Sequence, residues 1–257
     1  MRWCVLLLCA LKFATGQNCR GDEPRNRDCE NLCDKNGKNC RINAAVLLPQ
    51  NSSFLANLPS VRPVFDLALA DDVIKNAFPP DLYVNLTTYD VTDCDAAYAV
   101  ISAIDAYNDC AHVFFGPSCD FALASVARIT KFLGSTGTPL ITTGGFTFDF
   151  VKQKQTCLDE FYMMVRAGPV GFKDLAYFLI DLFRQFDWTR AALLFDTPAF
   201  EAEVGGNGGH LLASTIHLYM ISEGITVFGK ELVASQPHEE MLLQDVGNNF
   251  ASEFYLR

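Results

Sequence analysis

The residues best placed to do chemistry sit at one corner, Gly116-Pro117-Ser118-Cys119-Asp120, inside the run FFGPSCDFALASVARI over 114–129. A serine and a cysteine on a turn between a strand and a helix admit three chemistries. The first is a nucleophile elbow, which needs small residues in the pattern G-x-S-x-G. Here Asp120 replaces the second glycine and Pro117 precedes Ser118, while His112 opens the preceding strand and His210, His217 and His238 lie far downstream. A secreted hydrolase is therefore the third choice. The second chemistry is a phosphate cradle, but neither G-x-G-x-x-G nor G-x-x-x-x-G-K-[ST] stands at a strand–helix junction. The run EVGGNGGH at 203–210 lacks the lysine and the hydroxyl of such a loop and reads as mobile. The third is the stapled wall of a ligand cleft. Ser118 is expected as an N-cap with Cys119 opening the helix, so that the first-turn N–H groups point outward and favour a small anion. Cys94 lies 25 residues earlier, at the expected start of the preceding helix. Starts of neighbouring helices in a parallel sheet lie close together, so a Cys94–Cys119 disulfide is predicted, contributing roughly 3 kcal/mol in the chain-entropy account.

The elements that position this corner alternate between strand and helix. INAAVLLP (42–49) suits a strand buried on both faces. Residues 62–78 show helical spacing with Val64, Leu67, Ala68 and Ile74 on one stripe, and DLYVNLTTY (81–89) reads as a strand. Residues 95–107 follow as a helix with Asp93 as N-cap, then the strand HVFFG, the helix 119–133, and the strand TPLITTGG ending in a glycine corner. FYMMVRAGP is extended, and the amphipathic helix 171–186 turns Phe172, Leu175, Ala176, Leu179, Leu182 and Phe183 to one face. RAALLFD, a helix near 211–222 and ITVFGKEL complete the pattern, with a helix beginning after Pro237. Strand–helix alternation predicts parallel sheets flanked by helices, with ligands at the carboxyl ends of the strands.

The chain of 257 residues carries a formal charge of −10 and no basic run, which disfavours a nucleic-acid partner and suits a cationic one. MRWCVLLLCALKFATG reads as a signal peptide over 1–16. Without it eight cysteines remain, Cys19, Cys29, Cys33, Cys40, Cys94, Cys110, Cys119 and Cys157, an even number that points to disulfides in an exported protein. Four of them fall within the polar segment 17–41, read as a cap with two internal bridges and three open connectivities. Their spacing does not match common zinc sites, and DKNGKN reads as a turn rather than a calcium loop. Asn51 and Asn85 head glycosylation sequons. No later stretch is long and apolar enough to span a bilayer, so any membrane attachment would come through segments outside this chain.

The runs FFGPSCDFALASVARITKF, TPLITTGGFTFDF, MMVRAGP and DLFRQFDWTRAALLFD resemble the extracellular ligand-binding domain of receptor guanylyl cyclases, nearest to the natriuretic peptide receptor type. The resemblance covers about Ile42–Asp196, and weakly to Leu232. It implies the two-lobed type I periplasmic-binding-protein fold, with a first α/β lobe over 42–167 and a partial second over 168–257. It implies no enzyme in this chain, since the cyclase domain of such a receptor is intracellular. It pairs Cys94 with Cys119 and implies a chloride beside that bridge, held by the backbone N–H groups of Ser118 and Cys119 and by Thr87. It places Phe121 and Arg128 at the hormone groove. Phe121 stands where the family usually has tyrosine, so one phenolic hydrogen bond is missing. No cysteine follows Cys157, so the second-lobe disulfide has no counterpart. Cysteines similarly placed in the enterotoxin- and guanylin-type receptor imply a Cys110–Cys157 pair.

The function expected is binding of a peptide hormone outside the cell, secreted or at the plasma-membrane face, in a homodimer, with no cofactor apart from chloride. Two alternatives stand beside it. One is an amino-acid-type receptor clamping its ligand through Thr142, Thr143 and Gly144, and the other is a truncated soluble decoy.

Overall fold

The computed structural model describes Cys19, Cys29 and residues 31–51, 53–168, 171–233 and 237–247. The leader, its cleavage point, about half of the 17–41 segment and Ser52 of the first sequon lie outside the described residues. The chain divides into two units, one formed by residues 1–145 and 152–168, the other by 146–151 and 169–257. The segment 146–151 thus departs from the continuous first lobe expected over 42–167. Within the second unit Phe146 accepts from the Phe172 N–H at 2.8 Å and its ring stacks on Phe172.

The first unit is built on strands β1 (Cys40–Leu48), β2 (Leu82–Asp90), β3 (Val113–Phe115), β4 (Leu140–Thr142) and β5 (Met164–Arg166). They form one parallel sheet in the order β2-β1-β3-β4-β5. Near-continuous apolar strands suit such a sheet, because helices cover both of its faces, and Ala44 to Leu48 are all buried. Helix α1 (Leu58–Ala70) links β1 to β2 on one side, and α3 (Ala96–Asn108) links β2 to β3 on the other side of β1. Right-handed crossovers then put α1 on one face, and α3 with α4 (Asp120–Thr130) on the opposite face. The α1 face packs Val46 and Leu48 against Leu58, Val61 and Phe65, with Phe65 edge-on to Phe115 at 5.0 Å. On the other face Ala99, Ala103 and Ala106 of α3 and Leu123, Val126 and Ala127 of α4 are fully buried.

The helix expected over 62–78 is two helices, α1 and α2 (Asp72–Ala77). Asp71 between them is extended, and its carboxylate accepts from the Val73 N–H at 2.7 Å, capping α2 instead of continuing α1. Short acidic side chains compete for backbone donors in this way. α1 starts at the Asn57 cap, and its core-facing stripe is Leu58, buried, with Val61 and Phe65 half-buried, whereas Val64, Leu67 and Ala68, expected inside, are exposed.

The second unit holds α5 (Phe172–Gln185), β6 (Arg190–Phe195), the short α6 (Glu201–Val204), α7 (Gly208–Ser222), β7 (Thr226–Glu231) and α8 (His238–Met241). β6 and β7 pair in parallel. Ala176 and Ile180 of α5 and Ile216 and Met220 of α7 pack with Ile225, joined by Leu193 and Val227 of the strands. The Gly-rich run expected as a mobile loop is the end of α6, a turn over 205–207 and the start of α7. A Cβ at Gly209 would lie 1.8 Å from the Asp196 carbonyl oxygen, and one at Gly208 2.5 Å from that of Ala199. These glycines let the helix start against the end of β6. Among the described residues, no helix is long and apolar enough to cross a membrane.

The amino-terminal segment is bonded to the first unit, not to itself alone. Cys19 pairs with Cys157, Cys29 with Cys110, and only Cys33–Cys40 closes within the segment. This corrects both the doubly bridged cap and the Cys110–Cys157 pair. Cys110 precedes β3 and Cys157 precedes β5, with β4 between those strands. Each of the two sulfurs is taken by a cysteine of the amino-terminal segment, so neither is left for the other. Inside the small Cys33–Cys40 loop, the DKNGKN run is a turn built on Asp34. Its carboxylate accepts from the N–H groups of Asn36 and Lys38 and from the Asn39 amide. These bonds, that of Lys38 foremost, hold the Asp34 carboxyl below the usual carboxylate range.

Candidate functional site

The corner lies at the carboxyl edge of the first sheet, where β3 hands over to α4. Gly116 has φ +85°, and a Cβ there would stand 2.4 Å from the Leu47 carbonyl oxygen, so only glycine can make this turn. The peptide that follows, Gly116–Pro117, is cis. Pro117 is fully buried, and its carbonyl accepts from the Thr142 hydroxyl at 2.6 Å. The same hydroxyl oxygen accepts from the Gly144 N–H at 3.0 Å. Gly145 donates to the Asp120 carboxylate at 3.1 Å. A Cβ on Gly144 would fall 1.9 Å from the Ser118 carbonyl oxygen. The β3–α4 corner and the end of β4 are therefore one hydrogen-bonded block. Asp120, only 3% exposed, opens α4, where a negative charge is favoured by the helix dipole.

Cys119, not Ser118, is the N-cap of α4, and its side chain makes no cap hydrogen bond because its sulfur is bonded to Cys94. Ser118, Cys119 and Cys94 are all buried. No acceptor among the described residues takes the backbone N–H of Ser118 or Cys119. On the other side of the bridge, Thr92, Asp93 and Cys94 run in the left-handed region at φ 34°, 48° and 59°. Such residues cost of order 1–3 kcal/mol each and persist only where surroundings enforce them. Enforcement is visible here. Asp90 accepts from the N–H groups of Thr92 and Gln50, and Asp93 accepts from the Asn51 amide at 2.8 Å. Asp93, the expected N-cap of α3, is thereby drawn to the loop after β1, and Asp95 caps the helix instead, accepting from the N–H groups of Ala97 and Tyr98.

The other expected site residues are placed unequally. Phe121 sits in the first turn of α4 with 47% of its surface exposed. Arg128 lies seven residues on, on the same face of the helix but about 10 Å further from the corner. It is held by Glu160 at 2.5 Å and lies over the Phe161 ring at 5.4 Å. Thr87 pairs with Ala45 in mid-strand, three residues before β2 ends, and is exposed. β1 separates its strand from β3, and no hydrogen bond among the described residues joins it to Ser118 or Cys119. Asn85 is exposed on the same strand and donates weakly to Asn43 at 3.3 Å.

The groups assigned to an amino-acid clamp are engaged elsewhere. Thr142 is buried and bonded twice, and the Gly144 carbonyl accepts from the Arg166 guanidinium at 3.2 Å. Thr143 alone of the three is exposed. A hydrolytic triad is not assembled around Ser118 within its unit. His112, the one histidine there, begins β3 at the opposite edge, bonded to the Asn43 N–H and the Cys29 carbonyl. No group of His, Cys, Asp and Glu suited to a metal occurs among the described residues. The sequence reading missed the Thr142 relay and Asp120, and the signal for both was the glycine pair after Thr143, which permits close approach of two backbones.

Comparison with known proteins bears on the family and the fold. Residues 60–249 match the family described as receptor family ligand binding region. Atrial natriuretic peptide receptor 3 of Rattus norvegicus is 28% identical over 168 residues, covering 63% of this chain and 30% of the receptor. Atrial natriuretic peptide receptor 2 of Anguilla japonica is 29% identical over 198 residues, covering 74% of this chain and 17% of the receptor. The chain thus spans less than a third of the length of these relatives. Among solved structures, an ABC transporter substrate-binding protein from Desulfitobacterium hafniense superposes with a TM-score of 0.57 at 16% identity, covering 82% of this chain and 56% of that one. A solute-binding protein from Rhodopseudomonas palustris, in complex with p-hydroxybenzoic acid, gives 0.55 at 12% identity, covering 81% and 51%. These likenesses show the periplasmic-binding-protein type of α/β fold. With the match running over most of its length, the chain belongs to the receptor family ligand-binding region family.

Proposed function

We propose that this chain is the peptide-binding ectodomain region of a natriuretic-peptide-receptor-like protein, displayed outside the cell. The observation that carries the reading is the corner itself. It is a rigid, disulfide-closed block at the carboxyl edge of a parallel sheet, with a large aromatic side chain, Phe121, exposed beside it. Exposed aromatic anchors on rigid supports are where binding energy concentrates. The four disulfides suit an oxidising compartment, and the net charge of −10 suits a cationic peptide.

The N–H groups of Ser118 and Cys119 are the proposed seat for chloride, with the start of α4 favouring negative charge. Thr87 belongs to this seat only by resemblance. Arg128 contributes to peptide binding by exchanging Glu160 for an acidic group on the ligand. Glycans on Asn51 and Asn85, a leader over 1–16 and a homodimer complete the proposal.

Calorimetric titration of the secreted chain tests it, with a natriuretic peptide as one probe and free amino acids as the other. Peptide heat with silent amino acids is expected. Phe121→Ala should weaken the peptide about tenfold or more while leaving the melting curve unchanged. Repeating the titration with chloride replaced by gluconate should weaken binding. Saturable amino-acid heat with no peptide heat would overturn the reading.

A further inference from the structure

We infer that a glycan on Asn85 guards the open edge of the first sheet, keeping β2 from pairing with a strand of another chain. The inference rests on the glycosylation proposed above and gives that modification a task. β2 stands at the end of the strand order and pairs on one side only, with β1. It is nine residues long, and its run LYVNLTTY over 82–89 holds no charge, no glycine and no proline. A long, uncharged strand of this composition at a sheet edge is a template for a further strand.

The groups that a further strand would meet can be named. The Val91 N–H donates to the Leu48 carbonyl at 3.3 Å, and the Asp81 carbonyl accepts from the Cys40 N–H at 2.8 Å. Odd-numbered residues at both ends of β2 thus direct their backbone groups to β1. Backbone groups alternate between the two sides of a parallel strand. Those of Val84, Leu86 and Thr88 therefore point away from β1, and no hydrogen bond among the described residues takes them. The one charge on the strand, Asp90, is turned to the N–H groups of Gln50 and Thr92.

Other strands carry the common edge protections, which are shortness and charge. β5, at the opposite end of the sheet, has three residues and finishes on Arg166. In the second unit β6 begins with Arg190, and β7 carries Lys230. β2 has a sequon instead. Asn85 and Thr87 lie at its middle, both exposed, and alternate residues of a strand share one face. A neighbouring strand would run about 4.8 Å away, and its residue beside Asn85 would meet the first sugars. The glycan is bulky and hydrated, so it blocks that approach without adding a charge. Asn51 lies outside any strand, in the loop after β1, where its amide is held by Asp93, so a glycan there gives no such protection.

The secreted chain, made in a glycosylating host, tests the guard. Peptide mass mapping should find a glycan on Asn85, and sedimentation velocity then compares three substitutions with the natural chain. Asn85→Gln should associate, its average mass rising about twofold or more with concentration above that of the natural chain. Asn85→Lys loses the same glycan but sets a charge at the edge, and should sediment as the natural chain does. Asn51→Gln should do so too. A bare Asn85 in the natural chain would overturn the guard together with the modification it rests on. A glycosylated Asn85 with no association in Asn85→Gln, or equal association in Asn85→Lys or Asn51→Gln, would overturn the guard alone. Should Asn85→Gln not be secreted, the same comparison is read as yield: Asn85→Lys secreted at the natural level supports the guard, and Asn85→Lys lost with it overturns the guard.

Discussion

The two edges of the first sheet are both stapled, but by opposite means. At the carboxyl edge, Cys94–Cys119 spans 25 residues and joins loops already tied through Thr142, Asp120, Asp90 and Asn51. At the amino edge, Cys19–Cys157 and Cys29–Cys110 span 138 and 81 residues and attach a segment whose described polar links are few. One bridge completes a pre-ordered block, while the others hold down a segment that hydrogen bonds alone would not. The difference separates two uses of a disulfide: geometry at the candidate binding edge, and chain entropy at the edge remote from it.

The largest expected effect tests the entropic edge. Replacing Cys19 and Cys157 together by serine should cost about 5 kcal/mol in the chain-entropy account, read as a lowered urea midpoint. Peptide titration of whatever folds should be unchanged, and a loss of binding equal to that of a corner variant would erase the contrast. Replacing Cys94 and Cys119 by serine should cost less stability, about 3.5 kcal/mol on the same scale, yet abolish peptide binding. Thr142→Val keeps the shape and removes the relay, leaving the Pro117 carbonyl and the Gly144 N–H unpaired. A loss of about 2 kcal/mol is expected in thermal melts, with weaker peptide binding, whereas a neutral result would mean the corner is held by the disulfide alone.

The smallest effect belongs to Tyr89, one residue before the carboxyl end of β2. Burial, with the hydroxyl bonded to Asp109, pushes its phenol from 10.0 up to about 12. A folded-state value above the unfolded one stabilises fully below pH 10 and is lost as pH rises towards about 12. Phenolate absorbance during alkaline titration should show one late tyrosine that disappears in Tyr89→Phe, and stability of that variant should fall less steeply over this range.

Much of the fold was legible because parallel strands are apolar along their whole length. INAAVLLP, HVFFG and RAALLFD could be read as strands with no tertiary knowledge. The corner was legible too, since glycine and proline in sequence between strand and helix leave few conformations. What failed were choices between locally equivalent options. Val64 and Leu67 repeat with the same period as Val61 and Phe65, and only the start of α1 at Asn57 decides which pair turns inward. Ser118 and Cys119 are both plausible caps, and the sulfur bond settles it. Asp93 and Asp95 compete likewise until the Asn51 amide claims the first.

By itself the sequence determined which segments become strands and helices, that the sheet is parallel, and that a glycine–proline corner closes its β3–α4 junction, because these depend on periodicity and on the stiffness of glycine and proline, which are properties of neighbours in the chain. Tertiary structure decided which cysteines meet, which hydroxyls remain free, and that Arg128 is engaged by Glu160 while Phe121 is exposed. Those outcomes depend on distances between residues far apart in the chain, such as Cys19 and Cys157, and a one-dimensional pattern carries no such distances.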